Sequence, residues 1–422
     1  MKKLVALFLS LALLLSMMSA TALAEEEKTI SIYNWGDSTD MALNEAAIAR
    51  FNEKHPNVKV EVRYQEKSMS WADYITKLLA QIAAGDAPDI CLMAIEGLYQ
   101  LNSYDLLMSL NDFIANDEEV KAAMTDIHPS LLDGFTVNDN VLLFPAHWNG
   151  MNLFCNKDLF DEAGVELPSS DTTWDEFLEI CKALTKGEGA EKQYAFDIYP
   201  AAIFFNLFTY ANGCSTLVDG NNTSNMTDPK VVESWQFLHD LIWKHGVMPI
   251  PELGNYSAEN FINRKIAMTV MGHVSCYEYQ AAGMENVYVT TFPVQDKENG
   301  SQIFGADGYG ILKTAEDPQL CFDLIMEFAG EQTQMEIAAS GVSNPVRRSA
   351  ANSESFLAYP QNAEVFYGML DEGARILPAP INSADYENLL TRYYFEIMGQ
   401  NERSIESYLE EADLELKDIL AQ

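Results

Sequence analysis

The hydrophobic and polar positions of this chain change period repeatedly, and each change marks an element. Val58, Val60, Val62 and Tyr64 alternate with Lys59, Glu61 and Arg63, the period-two pattern of a half-buried strand. Before it, residues 29–35 place Ile30 and Ile32 on one face and run into the turn Asn34-Trp35-Gly36-Asp37. A helix over 40–54 follows, with Ile48 and Phe51 on its buried stripe, and His55-Pro56-Asn57 breaks it. Trp71, Tyr74, Ile75, Leu78, Leu79 and Ile82 then recur at helical spacing. Gly85 closes that helix, and Pro88 leads into a strand over 89–93. This β-α-β-α-β order predicts a mostly parallel sheet with helices on its faces.

The middle of the chain reads as strand, exposed aromatic loop, strand, helix, loop and capped helix. Residues 141–144 suit a buried strand, which Pro145 is expected to stop because proline has no N–H for a ladder. His147, Trp148 and Asn149 then form the loop. Met151, Leu153 and Cys155 alternate with Asn152, Phe154 and Asn156 as a second strand. A short helix over 157–163 stops at Gly164, and Thr173-Trp174-Asp175-Glu176 fits a capping box for the next. Further on, residues 201–210 are apolar and aromatic-rich, and Trp235, Leu238, Leu241 and Ile242 mark a helix ending near Gly246. A strand is expected over 287–294, and helices over 318–328, 331–339 and 404–420.

The first residues change the picture of location. Lys2 and Lys3 precede an apolar run over 4–18, and Ala22-Leu23-Ala24 is a small-residue cleavage site before Glu25. Residues 1–24 therefore read as a secretory signal peptide. No cysteine stands at the cleavage point, so no lipid anchor is expected, and the mature protein is expected to be exported and soluble. No later apolar run approaches the ~20 residues of a spanning helix.

Charge narrows the partners. The chain carries 63 acidic and 26 basic residues, a formal charge of -37. Nucleic acid and anionic lipid are therefore poor partners. The six cysteines (Cys91, Cys155, Cys181, Cys214, Cys276 and Cys321) show no C-x-x-C pair and no histidine at zinc spacing, and are read as small buried hydrophobes. No G-x-S-x-G, H-E-x-x-H, phosphate loop or EF-hand loop is present, so neither enzyme nor metal nor cofactor is indicated.

One block carries more than periodicity. Phe144-Pro145, Trp148-Asn149, Cys155-Asn156-Lys157-Asp158-Leu159-Phe160, Ala163-Gly164, Pro168 and residues 173–177 stand in a single order. This resembles the block of the family-1 extracellular solute-binding proteins, the maltose-binding-protein-like receptors of ABC importers, with a cysteine in place of the usual aromatic before Asn156. His55-Pro56-Asn57-Val58-Lys59-Val60 and Ala83-Ala84-Gly85-Asp86-Ala87-Pro88-Asp89-Ile90 resemble that family's first-lobe segments. So do Lys265-Ile266-Ala267-Met268 before Gly272-His273, Gly341 with Asn344-Pro345-Val346-Arg347, and Pro378-Ala379-Pro380 with Tyr386. His273 stands where the family has tryptophan.

The resemblance implies an α/β, two-lobe, type II periplasmic-binding-protein-like fold with a ligand cleft between the lobes. The first lobe would comprise residues 28–143 and 304–344, the second 144–303 and 345–422. It implies a monomer that hands a sugar or short oligosaccharide to ABC permease subunits, or, as the alternative, a polyamine or phosphate ester on the same scaffold. The ligand residues it implies are Trp35, Asp37, Glu96, His147, Trp148, Asn149, Tyr199, His273, Asp307, Arg347 and Tyr386. Each has a plainer reading: Trp35 or Trp148 as core, Glu96 as a helix N-terminal charge, Arg347 as the partner of a structural acid.

Overall fold

Two β-sheets carry the architecture, and the chain passes between them on neighbouring strands. The computed structural model describes residues 27–66, 70–252 and 257–422, so the leader expected over 1–24 lies outside the described residues. In chain order the first elements are β1 (Lys28–Trp35), α1 (Ser38–Lys54), β2 (Val58–Gln65), α2 (Trp71–Ala83), β3 (Ile90–Ala94) and α3 (Ile95–Ser103). Both β2 and β3 pair with β1 in parallel, as the alternation predicts.

The chain then runs along β4 (Phe144–Gly150) and straight on into β5 (Asn152–Asn156), which belongs to the smaller sheet. That sheet is completed by β6 (Tyr194–Ile198), β7 (Ile266–Met271) and β8 (Val287–Thr291), in the order β8-β5-β7-β6. The return is β9 (Ile303–Ile311), followed by β10 (Asn344–Pro345) and β11 (Arg375–Ile376). The larger sheet has seven strands, ordered β10-β4-β9-β3-β1-β2, with β11 on β9.

Both sheets are mixed, where the first strands alone suggested mostly parallel ones. The strands that cross between them come back in the opposite direction, so β9 runs antiparallel to both β3 and β4. Likewise β5 is antiparallel to β7 and β8, and only β6 and β7 run together.

Pro145 does not stop a strand, and residues 147–149 are not a loop. Both points correct the expectation. Pro145 pairs with Gly308 where the ladder between β4 and β9 shifts register, a place where a missing N–H is tolerated. Flanked by β9 on one side and β10 on the other, His147, Trp148 and Asn149 lie inside the larger sheet.

Helices cover both sheets. Around the smaller one lie α4 (Trp174–Leu184), α5 (Ala202–Ala211) and α6 (Pro229–Trp243); α7 (Pro318–Phe328) and α8 (Glu331–Ser340) pack on α1; α9 (Ser383–Met398) and α10 (Ile405–Leu420) close the chain. Thr173 caps α4 through the expected box with Glu176. The Trp174 indole of α4 donates to the Pro293 carbonyl at 3.0 Å and stacks on Phe237 at 4.3 Å. Nearly every side chain of α5 is buried, which explains its run of aromatics without a polar face. Five cysteines are buried and Cys214 is half-buried. Burial pushes the thiols of Cys91 and Cys214 up to about 12, so the small-hydrophobe reading fits their surroundings.

Candidate functional site

The parallel strands deliver their carboxyl ends to one edge, where open α/β sheets form crevices. Ile32 of β1 pairs with Ile90 of β3, so Trp35 ends level with Met93. Ala94 of β3 pairs with Asp307 of β9, and Asp307 pairs with His147 of β4. Trp35, Glu96, Asp307 and His147 therefore form one row along the edge of the larger sheet.

Each member of that row is held by its element. Trp35 stacks on Trp71, the first residue of α2, at 4.6 Å between ring centroids and 29° between planes. Trp71 in turn meets Tyr74 edge-on at 5.3 Å. Both indoles stay half-buried, leaving apolar ring surface at the edge. The His147 Nδ1 and Asp307 Oδ1 atoms lie 2.8 Å apart. Their approach depends on the register shift beside Gly308, where an added Cβ would sit 2.6 Å from the Phe144 carbonyl oxygen. Asn149, two residues along β4, lies against Gly272; a Cβ there would come within 3.0 Å of its Oδ1. That Oδ1 is buried without a hydrogen-bond partner among the described residues.

The opposite wall comes from the smaller sheet's side. Helix α5 follows β6, and its Ile203 reaches the position above Gly305 of β9. Tyr199, just past β6, is exposed and lies edge-on to Phe204. Helix α9 packs on α5 and also on α3. Glu96 lies in the first turn of α3 and Glu387 in the second turn of α9, whose first turn carries Asp385. Burial, then the Glu387 carboxylate, then Asp307, hold the Glu96 carboxyl well above the usual range, against the pull of its own backbone N–H. Burial raises the Glu387 carboxyl as well.

The expected residues thus separate. Trp35, Glu96, His147, Asn149 and Asp307 come together at the crevice, with Tyr199 at its rim. The others have structural employment. Trp148 is 1% exposed, and its Nε1 donates to the Pro345 carbonyl at 3.0 Å between Phe304 and Tyr367. Arg347 is buried, donating from Nε to the Ala329 carbonyl at 2.7 Å and facing Asp126 at 3.6 Å. His273 is buried flat against Phe356 at 4.6 Å, and burial depresses its imidazole to about 4, so it stays neutral. Tyr386 is buried in a hydrogen-bonded group with Asn206 and Thr216.

Asp37 caps α1. Its carboxylate accepts from the Thr39 and Asp40 N–H groups, and Asp40 answers from the third position. Asp37→Ala is expected to cost about 1 kcal/mol of stability in urea unfolding; an unchanged midpoint would deny the cap any weight.

Two residues of the crevice escape a sequence reading. Trp71 looks like one more member of the α2 stripe; its place as the first helical residue after a polar stretch is the only signal. Glu387 sits beside Tyr386 in a segment with no local pattern, and only the packing of α9 on α3 brings it to Glu96. Among the described residues, no group of three His, Cys, Asp or Glu is arranged to hold a metal ion, and no helix is long and apolar enough to cross a membrane.

The comparisons agree with this architecture. Residues 46–364 match the bacterial extracellular solute-binding protein family, and the chain belongs to it. An arabinooligosaccharide-binding protein of Halalkalibacterium halodurans is 23% identical over 221 residues, 52% of this chain and 47% of that protein. A putative binding protein of Brucella abortus is 25% identical over 41% of this chain and 40% of its own length. The chain thus spans less than half the length of these curated relatives. Among solved structures, the ABC substrate-binding protein Lmo0181 from Listeria monocytogenes, in complex with cycloalternan, superposes with a TM-score of 0.81 at 20% identity, covering 94% of this chain and 100% of that one. UgpB from Mycobacterium tuberculosis, in complex with glycerophosphocholine, gives 0.78 at 20% identity over 92% and 98%. The fold is therefore the two-lobe α/β fold of these binding proteins.

Proposed function

We propose that this chain is the exported substrate-binding component of an ABC importer. It takes a sugar or short oligosaccharide between two hinged lobes, residues 28–143 with 304–344 and residues 144–303 with 345–422. As a monomer it delivers that ligand to the membrane permease. The observation that carries this reading is the stacked Trp35–Trp71 pair beside a row of hydrogen-bonding groups, Glu96, His147, Asn149 and Asp307. Aromatic faces suit the apolar face of a sugar ring, and in-plane acceptors suit its hydroxyls. The oligosaccharide named for the Halalkalibacterium relative and the cycloalternan in the Listeria complex support the same class.

A cationic solute, such as a polyamine, is the second reading. Glu96, Glu387 and Asp307 favour it, because they bring three carboxyl groups to the crevice. The same three groups weigh against a phosphate ester by like-charge repulsion.

A thermal-shift panel of sugars, oligosaccharides, polyamines and phosphate esters tests the choice. A ligand specific to the folded protein at 100 times its dissociation constant adds about 2.7 kcal/mol and must raise the melting temperature. A shift with an oligosaccharide is expected. A shift confined to polyamines would replace the sugar reading with the second one.

A further inference from the structure

The crevice residues of the crossing strands share one face, and one of them has no side chain. In β4 only His147 and Asn149 are part-exposed, and in β9 only Gly305 and Asp307; every other residue of the two strands is buried. Asn149 pairs with Gly305, and His147 with Asp307. Paired residues of a ladder, and residues two apart along a strand, lie on the same face. The four positions are therefore the corners of one block on the crevice floor. Three corners carry hydrogen-bonding side chains, and the fourth is bare backbone.

The fold does not require that glycine. Packing does require Gly308 and Gly310 of the same strand: an added Cβ would lie 2.6 Å from the Phe144 carbonyl oxygen at the first and 2.6 Å from the Leu143 Cδ2 atom at the second. At Gly305 an added Cβ would meet only the Leu377 Cδ2 atom at 3.3 Å and the Ile203 Cδ1 atom at 3.6 Å, each the end of a flexible side chain, among the described residues. The residue sits in a strand and is not left-handed. Glycine weakens a strand, since it brings no side chain to pack and loses the most freedom on folding. Where neither packing nor backbone angle asks for it, close approach of another molecule to the backbone is the remaining physical reason.

We propose that Gly305 is a ligand-contact position: one ring of the bound solute lies flat on the backbone there, against the Ile203 side chain, and position 305 sets the bulk that the crevice admits. The surrounding corners suit a polyhydroxylated ring. Its C–H face would meet backbone and the Ile203 methyl group, while its hydroxyls reach the Asn149 amide and the Asp307 carboxylate, which is itself fixed by His147 at 2.8 Å. The proposal rests on the crevice being the solute site and narrows the solute to one that carries a ring.

Gly305→Ala and Gly305→Val test it, beside Gly368→Ala, which adds a methyl group in open space within the helix Val365–Asp371. Without any solute, Gly305→Ala should melt at or above the wild-type temperature. A melting temperature several degrees lower would show that packing holds the glycine, and would overturn the proposal. Calorimetric titration with an arabinooligosaccharide and with cycloalternan should show affinity roughly 10-fold lower in Gly305→Ala and no measurable binding in Gly305→Val, the scale of forcing extra methyl groups into a close contact. Gly368→Ala should bind as the wild type does. Unchanged affinity in the folded Gly305 variants would overturn the proposal and leave the sugar reading standing; if the valine variant unfolds, the alanine variant decides. If neither sugar binds the wild type, the sugar reading falls, and labelling decides position 305. The Gly305→Cys thiol should react with a maleimide at neutral pH, whereas five of the native cysteines are buried and Cys214 donates to the Thr209 carbonyl. A thiol at 305 that resists the reagent would show the floor closed to solutes and overturn the proposal.

Discussion

Trp148→Ala should lower the unfolding free energy by about 3–5 kcal/mol, the range for removing a fully buried large aromatic. The indole is buried where the chain passes from one sheet to the other, edge-on to Phe304 and Tyr367 at 5.8 Å each. Truncation removes those contacts, leaves a cavity and takes the indole donor from the Pro345 carbonyl. Trp148→Phe keeps most of the volume and should lose clearly less. Urea unfolding measures both. A loss under about 1 kcal/mol for the alanine variant would mean that the site collapses around the gap. Any fall in ligand affinity in Trp148→Ala would be a consequence of the damaged crossing and would not locate the ligand.

Trp71→Ala should do the reverse: leave the fold nearly untouched and weaken binding by roughly 10- to 100-fold, the effect of losing about 1.5–3 kcal/mol of aromatic contact. Trp71 is half-buried, and its neighbour Trp35 holds the other half of the stack. Trp35→Ala should act in the same direction. Calorimetric titration with whichever sugar raises the melting temperature supplies the number. Unchanged affinity in both variants, with a lowered melting temperature, would make the pair ordinary packing and remove the observation on which the sugar reading stands.

These two tryptophans show what sequence can and cannot distinguish. Both lie next to polar residues, and both are matched in type to a ligand role. Only pairing separates them: Trp35 ends a strand at the open edge, while Trp148 sits inside a ladder with partners on both sides. Periodicity made β1, β2, α2 and the capped α4 legible, because each buries one face and is set by local pattern. It misread residues 145–149, because whether proline is tolerated depends on a register shift against β9, some 160 positions away in the chain. The resemblance named Glu96, His147, Asn149 and Asp307 for the crevice, and these come together. It could not separate them from Arg347, His273 and Tyr386, whose side chains are consumed by hydrogen bonds and ring contacts inside the protein. Glu387 lay beyond reach altogether, since it acquires meaning only from a helix on the opposite wall.

The strands that join the two sheets are bonded to one another. β4 lies between β9 and β10, and Trp148 of β4 is fastened to the Pro345 carbonyl of β10. Separate connections would leave each half free to wobble, swivel and slide against the other. Strands laced into one ribbon resist stretching and sideways shear, because either would break ladder bonds, but they still flex normal to the ribbon. The softest mode is therefore a single bend, like the spine of a book. Any relative motion of the two halves is thereby confined to one coordinate instead of several.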